Sequence, residues 1–256
     1  MQLSVTQALS ALNRSANMTN AQPELLIAGA TGALGNAVLR RLVGVHRYAH
    51  TKVLAREPVQ QGMRQLSLHV VMGEITAWPP ALRCDVAVIM FEPPRMFYER
   101  ERALWTPAPE QLVDLAKWLH ERGARTLAVV LPHAQGSLPE SLKRGLASLD
   151  EQALASLGFE RLLILRSAEK PAALRHKNLL EGLAHWMLSI FKFMIPAQEQ
   201  PVRPLRIAEI VDTLLQTAPH GTCVLSPQEM WELSQCDAAK MLASLKKRFD
   251  STGNIN

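Results

Sequence analysis

Glu24–Val43 reads ELLIAGATGALGNAVLRRLV: a short apolar run, a turn carrying three glycines, then apolar residues at helical spacing. An apolar run this short, closed by a glycine, is a buried strand, whereas Asn36–Val43 (NAVLRRLV) has the 3.6-residue period of a helix. Between them lies Gly29-Ala30-Thr31-Gly32-Ala33-Leu34-Gly35. Gly29 permits a sharp exit from the strand. Gly32 lets the backbone approach a pyrophosphate, and Gly35 lets the helix pack close to the sheet. The first N–H groups of the helix, together with its dipole, then form an anion site. Strand, turn and helix in this order give the motif a weight that a bare glycine pattern lacks.

The same alternation continues downstream. Lys52–Ala55 (KVLA), Leu68–Met72 (LHVVM), Asp85–Met90 (DVAVIM), Thr126–Leu131 (TLAVVL) and Arg161–Leu165 (RLLIL) read as further strands. Pro109–Arg122 forms an amphipathic helix with Leu112, Leu115, Ala116 and Leu119 on one face and Gly123 as its stop, and Leu142–Leu157 is helical. Short apolar strands separated by helices predict an α/β fold: a doubly wound, Rossmann-type parallel sheet with helices on both faces. Residues 22–168 make up this core. Residues 1–21 are an extension, flexible or a short helix, with Leu3, Val5, Ala8, Leu9 and Leu12 roughly on one face. Residues 169–250 form a small lid or substrate region with the last sheet elements, and 251–256 fray. Within that third region the spacing predicts an apolar helix over Leu179–Ile195, an amphipathic helix over Pro204–Gln216, a strand over Gly221–Leu225, and one further helix within Met230–Lys247.

Composition removes several functional classes. The 256 residues carry a net charge of +5, but Lys246-Lys247-Arg248 is the only compact basic cluster, so no nucleic acid is expected. Three cysteines without CxxC spacing exclude a disulfide framework and a zinc site, and suit a reducing, cytoplasmic setting. No run reaches transmembrane length, and the first twenty residues lack the pattern of a secretory signal.

The GATGALG turn has the GxxGxxG form and resembles the extended and atypical branches of the short-chain dehydrogenase/reductase superfamily. With Arg56 after the second strand and the block Phe159–Ser167, the chain looks similar to small bacterial NAD(P)-binding proteins related to the Tat-interacting tumour-suppressor protein and to NmrA-like regulators. The similarity runs from about Glu24 to about Leu233. It implies that a dinucleotide lies on Gly29–Gly35, with Phe91 after the fourth strand as a further contact. The end of the second strand normally reads the adenosine ribose. Arg56 there would fork onto a 2′-phosphate, which makes NADP the preferred cofactor, while Glu57 leaves NAD open.

Members of this superfamily move a proton with a Tyr-x-x-x-Lys pair, the lysine lowering the pKa of the tyrosine. This chain has two tyrosines. Tyr48 is followed by Lys52 but precedes the second strand, and Tyr98 is followed by Arg102. Alignment on the Phe159–Ser167 block puts the family tyrosine near Lys143 and its lysine near Ala147, while Leu131-Pro132-His133 replaces the expected serine. Stand-ins for catalysis are His133 at the carboxyl end of strand five, Ser137 or Ser141, and Lys143. Three functions follow: a nucleotide-binding regulator or scaffold without dehydrogenase chemistry, an NADP-dependent oxidoreductase or isomerase of a small carbonyl compound, or a scaffold with a vestigial site. The missing pair favours the first, and the intact turn argues against the third. Trp186, Met187, Phe191, Phe193 and Met194 would line a site for a small apolar ligand, or bury against a protein partner or a second copy in a homodimer.

Overall fold

The computed structural model describes residues 22–58, 65–79, 81–133, 151–168 and 202–252. Seven parallel strands form one sheet: β1 (Glu24–Ala28), β2 (His50–Ala55), β3 (Leu66–Val70), β4 (Val86–Met90), β5 (Thr126–His133), β6 (Arg161–Ala168) and β7 (Gly221–Leu225). Their order is β3-β2-β1-β4-β5-β6-β7. The chain winds outward from β1 in one direction and from β4 in the other. The reversal falls at the carboxyl ends of β1 and β4, the place where doubly wound sheets take their ligands.

Alternation within the strands explains the two-sided core. Leu25, Ile27, Val53, Val88, Met90, Val130 and Leu163 face one layer, covered by α1 (Gly32–Gly44) and, from far downstream, α4 (Pro204–Thr217). Leu26, Ala28, Leu54, Ile89, Val129 and Ile164 face the other, beneath α3 (Leu112–Glu121) and three tryptophans. In that second layer Trp78 meets Trp105 and Trp118 edge to face, at ring separations of 4.9 and 5.3 Å. Such contacts add to plain area burial. A short helix α2 (Glu99–Arg102) lies in the long connection from β4 to α3, and residues 151–156 are helical ahead of β6.

The expected strands are all present, β1 and β7 with the expected ends and the others with shifted ones. β2 begins at His50, β3 spans Leu66–Val70 rather than Leu68–Met72, and β5 and β6 run on through His133 and Ala168. The single late helix expected within Met230–Lys247 is two: α5 (Pro227–Gln235) and α6 (Ala238–Thr252). Local chemistry accounts for the earlier start and the break. Ser226 accepts from the Glu229 amide while the Glu229 carboxylate takes the Ser226 amide, a reciprocal cap. Asp237 Oδ1 then accepts from the Lys240 amide at 2.8 Å and starts α6 afresh. The extension 1–21 and the apolar stretch Leu179–Ile195 lie outside the described residues.

Candidate functional site

The β1–α1 turn is shaped by its glycines. Gly29 has φ +78° and Gly32 φ +70°, the left-handed region that side chains avoid. A Cβ on Gly29 would lie 1.9 Å from the Met90 carbonyl oxygen, so this turn passes directly against the end of β4. A Cβ on Gly32 would meet the Glu92 side chain at 2.3 Å. That second contact is unexpected: the space kept open by Gly32 holds a carboxylate of the same chain.

Two glutamates serve the turn. The Leu34 amide donates to Glu92 Oε2 at 2.5 Å, and the Gly32 amide donates to Glu101 Oε2 at 3.1 Å. Helix α1 cannot satisfy these N–H groups internally, and its N-cap Thr31 makes no side-chain cap bond. The Thr31 hydroxyl donates to the Glu92 carbonyl at 2.5 Å and lies 2.9 Å from the Thr106 hydroxyl. Glu101 is 4% exposed. Arg95 holds it through both its backbone amide, at 3.1 Å, and its guanidinium, with Nε 2.9 Å from Oε1. Burial pushes the Glu101 carboxyl up, but the Arg95 side chain, the Arg95 and Gly32 amides and the guanidinium charge together hold it below the ordinary glutamate range. Arg95 also stacks 3.8 Å from the centre of the Tyr98 ring.

The segment carrying these glutamates crosses the carboxyl ends of β1 and β2 as a strap. Gly29 donates to the Trp105 carbonyl at 3.1 Å, and Trp105 donates to the Leu54 carbonyl at 3.0 Å. The Arg56 amide donates to the Ala103 carbonyl at 2.7 Å, and Leu104 forms an antiparallel bridge with Ala55. Trp105, 8% exposed, anchors the strap against Trp78 in the core below.

Of the residues singled out in the sequence, Gly29–Gly35 and Arg56 lie at this carboxyl edge. The Gly35 amide is already engaged within α1, donating to the Thr31 carbonyl at 3.0 Å. The Arg56 side chain is exposed, beside exposed Glu57. Phe91 is half-buried and packs on the tryptophan-containing layer. His133 ends β5 at the same edge, in register with Ala168. Ser137, Ser141 and Lys143 lie outside the described residues. Neither tyrosine stands at the end of β5. Tyr48 is buried between α1 and β2, its phenol pushed up to about 12 by desolvation, and Tyr98 is on the strap.

Glu92, Arg95, Glu101 and Trp105 were not singled out from the sequence. A signal was present: Phe91–Gln111 is far longer than the roughly 2–6 residues that usually join a strand to its helix, and such connections carry function. Among the described residues there is no cluster of His, Cys, Asp and Glu able to hold a metal ion, and no helix long and apolar enough to cross a membrane.

No protein-family model matches the chain, and no curated protein matches it in sequence. Solved structures do match. A nucleoside-diphosphate-sugar epimerase from Staphylococcus aureus is 13% identical, with TM-score 0.46, over 79% of this chain and 70% of that one. MoeE5, solved with UDP-glucuronic acid and NAD, is 12% identical with TM-score 0.45 over 79% and 75%. A Rossmann-fold NAD(P)-binding family protein from Shigella flexneri is 16% identical with TM-score 0.37 over 67% and 87%. The sheet order of its own strands gives this chain a Rossmann-type α/β fold.

Proposed function

We propose that the chain is a dinucleotide-binding protein of the short-chain dehydrogenase type that works as a regulator or scaffold, without the Tyr-x-x-x-Lys chemistry, and that prefers NADP over NAD. The observation that carries this reading is the β1–α1 turn, where the Gly32 and Leu34 amides converge on anionic oxygens at the topological switch point. The turn is therefore built and polarised as an anion receptor, and the carboxylate oxygens mark where phosphate oxygens would accept. Exposed Arg56 at the end of β2 supports NADP, because a guanidinium there is free to fork onto a 2′-phosphate. The absence of dehydrogenase chemistry rests on the two tyrosines: one is buried away from the crevice with a raised pKa, the other lies on the strap. Three free cysteines suit a reducing cytoplasm.

A second reading, an NADP-dependent oxidoreductase or isomerase, is favoured by β5 reaching the carboxyl edge at His133. Calorimetric titration with NADPH and NADH tests the first reading. NADPH is expected to bind more tightly, and Arg56→Ala to weaken NADPH by about tenfold while leaving NADH nearly unchanged. Equal losses for both would remove the NADP preference. Consumption of NADPH with small carbonyl compounds, abolished by His133→Ala, would replace the regulator by the enzyme.

A further inference from the structure

We propose that Phe91–Thr106 is a displaceable strap that closes the nucleotide crevice, its Glu92 and Glu101 carboxylates standing in for the pyrophosphate. Dinucleotide and strap would then compete for the same backbone amides. The inference rests on the reading of the turn as a dinucleotide site, and it adds a regulatory contact to that site.

Three observations carry it. First, the N–H groups of Gly32 and Leu34 each donate to a strap carboxylate. A single N–H cannot give a full hydrogen bond to a carboxylate and a phosphate together, and two carboxylates beside a pyrophosphate would repel it strongly in so dry a place. Second, the strap backbone takes up the edge groups next to the turn: Trp105 bridges Gly29 and Leu54, and Ala103 accepts from the Arg56 amide. An adenosine reaching Arg56 would have to pass through this pairing. Third, the middle of the strap is held by polar contacts at its two glutamates, with Met96 and Phe97 left 76% and 91% exposed between them, while its apolar contacts with the core lie at its ends, at Phe91 and at Ala103, Leu104 and Trp105. A segment with few buried apolar contacts opens locally at far lower cost than the core beneath it.

Opening would replace the Glu101 and Glu92 oxygens by phosphate oxygens on the same N–H groups. It would carry the Arg95–Glu101 pair, both on the strap, away from Gly32 and move Trp105 relative to Trp78. Nucleotide binding would thus change the surface over β1 and β2 without any chemical step, which is the response a regulator needs. By mass action, a ligand that binds only the open form must overcome the cost of opening, so its apparent affinity is lowered by the fraction of chains that are closed.

The test combines affinity with strap accessibility. Glu92→Gln and Glu92→Gln/Glu101→Gln keep side-chain size but remove the charge. Both are titrated with NADPH beside the wild type. In parallel, wild-type protein is exposed to trypsin with and without NADP, and cleavage after Arg100 and Arg102 is followed by mass spectrometry. The variants are expected to bind about tenfold more tightly or better, and NADP to accelerate strap cleavage in the wild type. Ordinary ligand binding protects a crevice instead. Glu92→Gln alone keeps the test valid should the double variant fold poorly, since Glu92 is only half-buried. Equal affinities with cleavage unchanged or slowed would overturn the strap while leaving dinucleotide binding intact. Absence of binding in wild type and variants alike would overturn both.

Discussion

The two ends of α1 are fastened by the same chemistry to different purposes. At its carboxyl end Arg41 in the last turn, and Arg47 just beyond, reach Asp212 on α4 at 2.8 and 2.5 Å. Asp212 is 1% exposed, and Gln216 adds a third donor at 3.1 Å. At its amino end Glu92 and Glu101 sit on the free amides, with Arg95 behind Glu101. Each end thus pairs a buried carboxylate with guanidinium groups. Topology separates them: Asp212 ties two helices over a closed layer of core, while Glu101 closes the crevice where a sheet of this kind takes a ligand. A buried ion pair says little by itself about stability or function, and its place in the winding of the chain decides which it serves.

Truncating the strap anchor should have the largest effect. Trp105→Ala leaves a cavity beside Trp78 and is expected to cost about 3–4 kcal/mol in thermal or denaturant unfolding. It should also raise dinucleotide affinity, because the strap loses its only large buried ring. A destabilised protein with unchanged affinity would break the comparison, making the strap as structural as the helix clamp. Asp212→Ala should cost less, about 2–3 kcal/mol, because Arg41 and Arg47 are 44% and 36% exposed and can turn to water once unpaired. Its melting temperature should fall while NADPH affinity stays within about twofold, since the clamp lies at the far end of α1 from the turn. A large change in affinity would show that the two ends are coupled through the helix.

The sheet was legible because its central strands are short apolar runs whose alternate residues fill two different layers, so Leu25 and Ile27 face one helix layer and Leu26 and Ala28 the other. The late helix pair reads as one because an apolar period continues across Cys236-Asp237, and the cap at Asp237 separates the halves. The glycine turn between strand and helix was legible, yet the carboxylates on its amides were not. Glu92 and Glu101 are 58 and 69 residues from their amide partners, and on a charged run such as Glu99–Arg102 a glutamate reads as a solvated side chain. No local period marks a carboxylate that folds back onto an earlier turn. Asp212 escaped for the same reason, lying 171 and 165 residues from its two arginines.

Acid and alkali should loosen the two ends separately, with the smallest effects of the series. Glu101 has its folded pKa held below the ordinary glutamate value near 4.5, so its ionised form stabilises the closed strap. That contribution is complete above the unfolded value and is lost as pH falls through the folded one. Arg95 and the Gly32 amide face it, and Arg95, which stays charged throughout this range, in turn has the Tyr98 ring and the Glu92 charge beside it. Tyr48, beside Arg47 and Asp212, behaves in the opposite sense. Desolvation raises its phenol from 10.0 to about 12, so its neutral form is favoured, and stability is lost as pH rises from the first value through the second. Tryptophan fluorescence should therefore report strap opening below the ordinary carboxylate range, in wild type but not in Glu101→Gln, whose strap no longer carries the titrating charge. Melting temperature should fall above pH 10 in wild type, and less steeply in Tyr48→Phe. An acid fluorescence transition unaltered in Glu101→Gln would assign the loosening to another carboxylate and remove Glu101 as the latch.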